Sequence, residues 1–90
     1  MATTSQKYMD FVREPLWNKP VTAIPGIGEE LDQRLRERGF YNADRVMKLF
    51  VQYGRDTESF KTWLMCVIGS PPYMAELCAQ ALWEWSNIHL

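Results

Sequence analysis

Pro25-Gly26-Ile27-Gly28 is the segment of this sequence whose residue types and spacing point most directly to chemistry. Two glycines on either side of an apolar residue permit a tight turn and let the backbone approach a ligand with no Cβ in the way. Ile27 suits a role as a pin that buries the turn in a core. The amides of Gly28 and the residues after it would then point outward at a helix N-terminus, where unpaired N–H groups and the helix dipole favour an anion. A DNA phosphate fits such a site without any base being read, so the expected binding is independent of sequence. Arg34, one turn into the following helix, stands where it could pair with an adjacent phosphate. Glu29, Glu30 and Asp32 crowd the same end, as helix-start charges that match the dipole. A plain helix-connecting turn is the alternative reading of the same four residues.

Other reactive groups are sparse. Cys66 and Cys78 lie in apolar stretches, and the one histidine, His89, stands next to the C-terminus. No nucleophile is paired with a base, so an enzyme is not expected. A structural zinc site usually takes four Cys or His ligands, more than this chain offers, and no metal or other cofactor is expected. Both cysteines read as buried free thiols, which fits a reducing nuclear or cytoplasmic compartment.

The elements that must position the turn can be read from capping and periodicity. Thr3, Thr4 or Ser5 can cap a helix reaching Glu14, on which Tyr8, Phe11 and Val12 share a face and which Pro15 ends. Pro20 suits the first turn of a very short helix through Ile24. After the glycines, a helix from Glu29 to Arg38 carries Leu31, Leu35 and Arg38 on one face, with Gly39 as its C′ residue. Asn42 or Asp44 starts the next, in which Val46, Leu49, Phe50 and Tyr53 run at helical spacing until Gly54. Another begins between Asp56 and Ser59, points Phe60, Trp63, Leu64 and Val67 inward, and ends at Gly69. The last, from about Tyr73 to Ile88, is expected to bury Leu77, Ala81, Leu82 and Trp85. Phe60, Trp63 and Trp85 read as core; Tyr73, Met74 and Trp83, with Met65, could form an exposed apolar patch. No segment alternates with period two. The expectation is an all-α compact bundle of five or six short helices containing a helix-hairpin-helix.

Bulk properties bound the rest. Ninety residues make one domain, 1–90, and 47% hydrophobic with 23% charged residues is a globular composition. So short a chain buries roughly 60–65% of its unfolded surface, and association with a second copy would remedy the small core. The net charge is −1 and the pI about 5.7, so no global positive field draws in nucleic acid and any DNA site must be local. Met1 to Gln6 is polar, and the longest apolar stretch, Trp63 to Ile68, is too short to span a bilayer, so a soluble intracellular chain is expected.

Thr3-Thr4-Ser5-Gln6-Lys7, Asp10-Phe11-Val12, Glu14-Pro15 and Lys19-Pro20-Val21 resemble the opening of the barrier-to-autointegration factor family. The resemblance continues through Gly26-Ile27-Gly28-Glu29, Leu35, Arg38-Gly39-Phe40, Phe60 and Trp63-Leu64 to Leu82, Glu84-Trp85 and Leu90, without internal gaps. It implies a two-fold dimer whose hairpins face apart and bridge two DNA duplexes. The implied DNA contacts are Lys7, Gly26, Ile27, Gly28, Leu31 and Arg34, and Thr3, Thr4 and Ser5 are implied phosphoacceptors whose modification would add about two negative charges beside Lys7. LEM-domain proteins of the nuclear membrane are implied partners at the dimer groove, with protein contacts at Phe40, Lys48, Gln52 and Trp63. The implied location is the nucleus, with some cytoplasmic pool, and neither a small-molecule substrate nor membrane insertion is expected.

The sequence departs from the family where charge and dimer contact matter. A basic pair near the start of the last helix is Tyr73 and Glu76 here, a small apolar residue after the hairpin is Glu30, a lysine pair is Gly54-Arg55, and another basic position is Asn42. Fewer neutralised phosphates imply weaker, less salt-dependent binding. A glycine of the dimer surface is Lys48, its neighbouring glutamine is Leu49, and aliphatic groove positions are Gln52 and Ser59. Two functions are therefore weighed. One is a DNA-binding and bridging protein acting as a dimer in chromatin organisation and nuclear envelope association. The other is a divergent adaptor that has lost much DNA affinity and acts through protein contacts, including pairing with a standard family member; a homodimer or a heterodimer with a family member is the expected assembly.

Overall fold

Glycines end two of the helices by the same local device. In the computed structural model, which describes residues 6–90, helix α2 (Glu29–Glu37) and helix α3 (Ala43–Gln52) each close in a Schellman motif. At the first, the Phe40 amide donates to the Leu35 carbonyl at 2.9 Å and the Gly39 amide to Arg36 at 3.0 Å, around a Gly39 φ of 93°. At the second, Arg55 donates to Phe50 at 3.1 Å and Gly54 to Val51 at 2.9 Å. Asn42 caps α3, its side-chain oxygen accepting from the Arg45 amide at 2.9 Å. Helix α1 (Gln6–Arg13), a 3₁₀ turn at Val21–Ala23, α4 (Thr57–Trp63), a π-helical segment at Leu64–Ile68 and α5 (Pro72–His89) complete the order. There is no strand among the described residues, and none of these helices is long and apolar enough to cross a membrane. The expected phosphoacceptors Thr3, Thr4 and Ser5 lie outside the described residues.

One core joins every element. Helix α5 packs against α1 and α4, while the 3₁₀ turn lies against α2 and α3. Phe50 and Phe60 meet edge to face at 5.5 Å, both fully buried, each contributing about 1.5–3 kcal/mol of transfer free energy. Polar links fix α1 and its end on α5. The Trp85 Nε1–H donates to the Glu14 carbonyl at 2.8 Å, and the Tyr8 hydroxyl donates to Glu84 Oε1 at 2.5 Å.

Several expectations about side-chain direction are corrected. Val67 is exposed and Ile68 buried. The chain from Phe60 onward passes from α to π geometry at Leu64, and a π turn takes about one more residue than an α turn, which moves the inward position one residue along. Cys66, two residues from both Leu64 and Ile68, is consequently an exposed thiol, whereas Cys78 is buried as expected. Leu77 faces outward because α5 turns its small residues, Ala75, Cys78 and Ala79, to the core with Leu82 and Trp85. Trp63 is half-buried, its ring edge-on to Phe40 at 5.4 Å, and Tyr53 and Arg38, as C-cap residues, are exposed. His89 is exposed as expected but not unattached: its ring stacks on Trp85 at 4.4 Å and its Nε2 lies 2.9 Å from the Val12 carbonyl.

Burial first, then the Glu84 hydrogen bond and its charge, pushes the Tyr8 phenol above its ordinary range. A raised phenol pKa stabilises the fold fully below about pH 10 and loses that contribution as pH rises beyond it, because the unfolded phenol then ionises and the folded one does not. Tyr8→Phe should lower stability by about 1 kcal/mol at pH 7. In thermal melts it should also lose less stability than the parent between pH 9 and 11. Equal alkaline losses in the two proteins would contradict the linkage.

Candidate nucleic-acid interface

The turn at Gly26–Gly28 is built from both sides. Its entry is the 3₁₀ turn Val21–Ala23, shorter than the helix expected there, followed by an Ile27 amide that donates to the Ile24 carbonyl at 3.1 Å. Ile24, Pro25 and Ile27 are buried, which seats the turn on the core as the apolar residue between the glycines suggested. Gly26 has φ +86°, and a Cβ there would meet the Met74 carbonyl oxygen at 2.5 Å and the Cys78 amide nitrogen at 3.2 Å. Left-handed backbone costs a non-glycine residue about 1–2 kcal/mol, and overlap with the α5 backbone adds about 1–3 kcal/mol more.

Gly28 is different. Its backbone is extended (φ −96°, ψ −172°), it is the N-cap of α2 with no side-chain cap, and nothing lies within 4 Å of where its Cβ would be. The Asp32 amide donates to the Gly28 carbonyl at 2.9 Å, so the first α-helical bond starts here and the amides before it face away from the helix. An open, uncapped helix start with no side chain in front of it is a fitting site for an anion.

The charges around it are arranged by α2 itself. Asp32 pairs with Arg36 at 3.1 Å and Glu30 with Arg34 at 3.3 Å, each one turn apart, so two of the three acidic residues of the first turn have cationic partners. Lys7 on α1 brings its Nζ to 3.5 Å from the Ile27 carbonyl, which places this cation beside the turn. Leu31 is buried below it. The Arg34 guanidinium is turned to the corner before α5: Nη1 donates to the Ile68 carbonyl at 3.1 Å and the Gly69 carbonyl at 3.3 Å. Tyr73, at the start of α5, is 71% exposed. Glu76 is held by Lys61 at 2.6 Å. The structure therefore brings Lys7, Gly26, Ile27 and Gly28 together at the turn, with Leu31 buried in the helix that follows, while Arg34 is turned to the Ile68–Gly69 corner. Nothing local in the sequence marked Gly69 or Met74 as neighbours of these residues.

A second feature lies on α3. Phe40, Lys48 and Gln52 line one groove of about 580 Å³, with Leu49 and the basic Arg38 and Arg45, neither of which its sequence neighbours mark as part of a groove. Trp63 is tied to this groove through its contact with Phe40. Lys48 is largely exposed and pairs with Asp44 at 3.3 Å. On the adjoining side, Met47, Val51, Trp85 and Leu90 line an apolar hollow of about 450 Å³, with Val51 43% and Leu90 72% exposed.

Comparison with known proteins places the chain. A sequence profile described as barrier to autointegration factor matches residues 2–89. The barrier-to-autointegration factor of Mus musculus is 41% identical over 88 residues, covering 98% of this chain and 99% of that protein. That of Danio rerio is 41% identical over 90 residues, the full length of both. That of Drosophila melanogaster is 40% identical over 85 residues, 94% of each. With a profile match over nearly its whole length and relatives of the same extent, the chain belongs to the barrier-to-autointegration factor family.

Proposed function

We propose that this protein binds the phosphate backbone of double-stranded DNA without sequence preference and, as a dimer, bridges duplexes in chromatin at the nuclear envelope. The observation that carries the reading is the open N-cap at Gly28, set beside a Gly26 that is packed against α5. Phosphate oxygens accept from the amides at the start of α2, with Lys7 supplying the adjacent charge. Gly26 and Ile27 shape the approach, and Leu31 anchors α2 beneath it. With Tyr73 and Glu76 at the start of α5, the footprint has few cations, so affinity is modest and falls gently with salt. Phosphorylation at Thr3, Thr4 or Ser5 would set a dianion near Lys7 and release DNA.

The apolar hollow of Met47, Val51, Trp85 and Leu90 supports pairing with a second copy or with another family member. Lys48 enters such a contact with its charge already matched by Asp44. The groove of Phe40, Lys48 and Gln52 favours a second activity, protein binding of the LEM-domain kind, and its Arg38, Arg45 and Lys48 suit an acidic partner. An adaptor acting through this groove is the reading to adopt if DNA binding is absent.

Two unrelated short duplexes, titrated by fluorescence anisotropy at low and physiological salt, test the DNA reading. Equal binding to both that weakens as salt rises is expected. Gly28→Glu should abolish it while leaving the melting temperature within a few degrees, since the side chain enters open space. Undiminished binding by this variant, or a marked preference for one duplex, would refute the proposal. Val51→Arg should yield a monomer in sedimentation velocity that still binds one duplex but no longer bridges two; a dimer that persists would place the pairing surface elsewhere.

A further inference from the structure

We propose that the phosphate site at the Gly26–Gly28 turn continues along α1 to an aromatic platform, Trp17 with Tyr41, on which unpaired bases of a single-stranded extension stack. The inference rests on the DNA-binding reading above and names a preferred substrate for it, a duplex that ends in a single-stranded overhang. Trp17 stands at the tip of a β-turn closed by the Lys19 amide, which donates to the Leu16 carbonyl at 3.0 Å. Asn18 takes a left-handed φ of +68° there, which asparagine tolerates better than most residues. The turn is pinned on both flanks. Leu16 is buried, and Lys19 pairs with Glu14, whose carbonyl accepts from the Trp85 Nε1–H at 2.8 Å. The Lys19 carbonyl accepts from the Ala43 amide at 3.0 Å, which joins the turn to the start of α3. From this fixed frame Trp17 projects 73% exposed, and Tyr41, two residues before Ala43, is 57% exposed.

One apolar side chain in solvent is ordinary. Two large rings flanking one backbone bond, next to cations, are the combination with which proteins hold single strands: every base has a face to stack, and the cations follow the backbone. A pinned turn adds to this, because its ring is presented without a loop having to order on binding. Cations also connect the platform to the phosphate site. Lys7, whose Nζ lies 3.5 Å from the Ile27 carbonyl, and Lys19 line one cleft of about 390 Å³ together with Phe11 and Leu16. Asp10 lines it too, with its carboxylate accepting from Gln6 at 2.8 Å. Helix α1, eight residues long, spans about 12 Å. A strand that leaves the duplex at Gly28 therefore passes Lys7 and reaches Lys19 within a few nucleotides.

Fluorescence anisotropy compares a blunt duplex with the same duplex carrying a short oligothymidine overhang, for the parent, Trp17→Leu and Tyr41→Leu. Both replacements are at exposed positions, so melting temperatures within a few degrees of the parent are expected. The parent should bind the overhang duplex about tenfold more tightly, the gain of about one stacked base. Each variant should lose most of that gain and keep the parent's affinity for the blunt duplex. Free oligothymidine at low salt should quench the indole emission of the parent and leave that of Trp17→Leu unchanged. Equal affinity of the parent for the two DNAs overturns the proposal, as does a variant that retains the full gain or one that weakens both DNAs alike. Equal affinity with unquenched emission assigns the two rings to a protein partner instead. If the parent binds neither duplex, the DNA-binding reading falls. Quenching then decides the platform by itself: quenching that requires Trp17 keeps it, and its absence removes it.

Discussion

A Cβ on residue 26 would lie 2.5 Å from the Met74 carbonyl oxygen, nearer than side-chain carbons come to backbone, and that exclusion organises the rest of the structure. Because Gly26 has no Cβ, the turn lies directly on α5 and its neighbours Ile24, Pro25 and Ile27 are buried. Burial of those three directs Gly28 outward, where nothing stands in front of the helix start. The two glycines therefore do opposite work two residues apart: one removes bulk from a contact with protein, the other leaves the helix start open. From the turn, α2 leads to Arg34 and its hold on the Ile68 and Gly69 carbonyls, and so back to the corner from which α5 begins.

Charge in this protein is local and largely matched. Lys48 with Asp44, Arg36 with Asp32, Lys61 with Glu76 and Lys19 with Glu14 are pairs on a chain of net charge −1. Exposed pairs of this kind contribute little to stability. Their larger effect is on the field: they leave little long-range attraction for a polyanion, so in the proposed DNA-binding role the helix start and Lys7 would supply most of the recognition. Arg38 and Arg45, by contrast, stand with Lys48 along the α3 groove, which gives the two candidate surfaces of the molecule different chemical preferences.

What could be read from sequence was what depends on neighbours along the chain. The Schellman ends at Gly39 and Gly54, the Asn42 cap and the buried Ile27 between two glycines all follow from residues within one turn of each other. What could not be read depends on distant partners. Arg34 has Glu30 as a local partner, but its bond to the carbonyl of Ile68, 34 residues away, is visible only in the fold. The Tyr8–Glu84 bond spans 76 residues. Of the residues expected inward on α5, Ala81, Leu82 and Trp85 are buried and Leu77 alone faces out, because close packing against α1 and α4 selects Ala75, Cys78 and Ala79 over the larger side chain. Val67 and Ile68 exchanged places because one π turn shifts register, and nothing in the composition of Leu64–Ile68 announces it.

The central claim is that the backbone at the start of α2 is itself the DNA-binding group. Amide chemical shifts of ¹⁵N-labelled protein titrated with a short duplex test it most directly. The account predicts that the largest changes fall on Gly28, Glu29, Glu30 and Leu31, with the Lys7 region following. Changes confined to the Phe40–Gln52 groove, or spread evenly over exposed basic residues with the Gly28 amide unmoved, would contradict it.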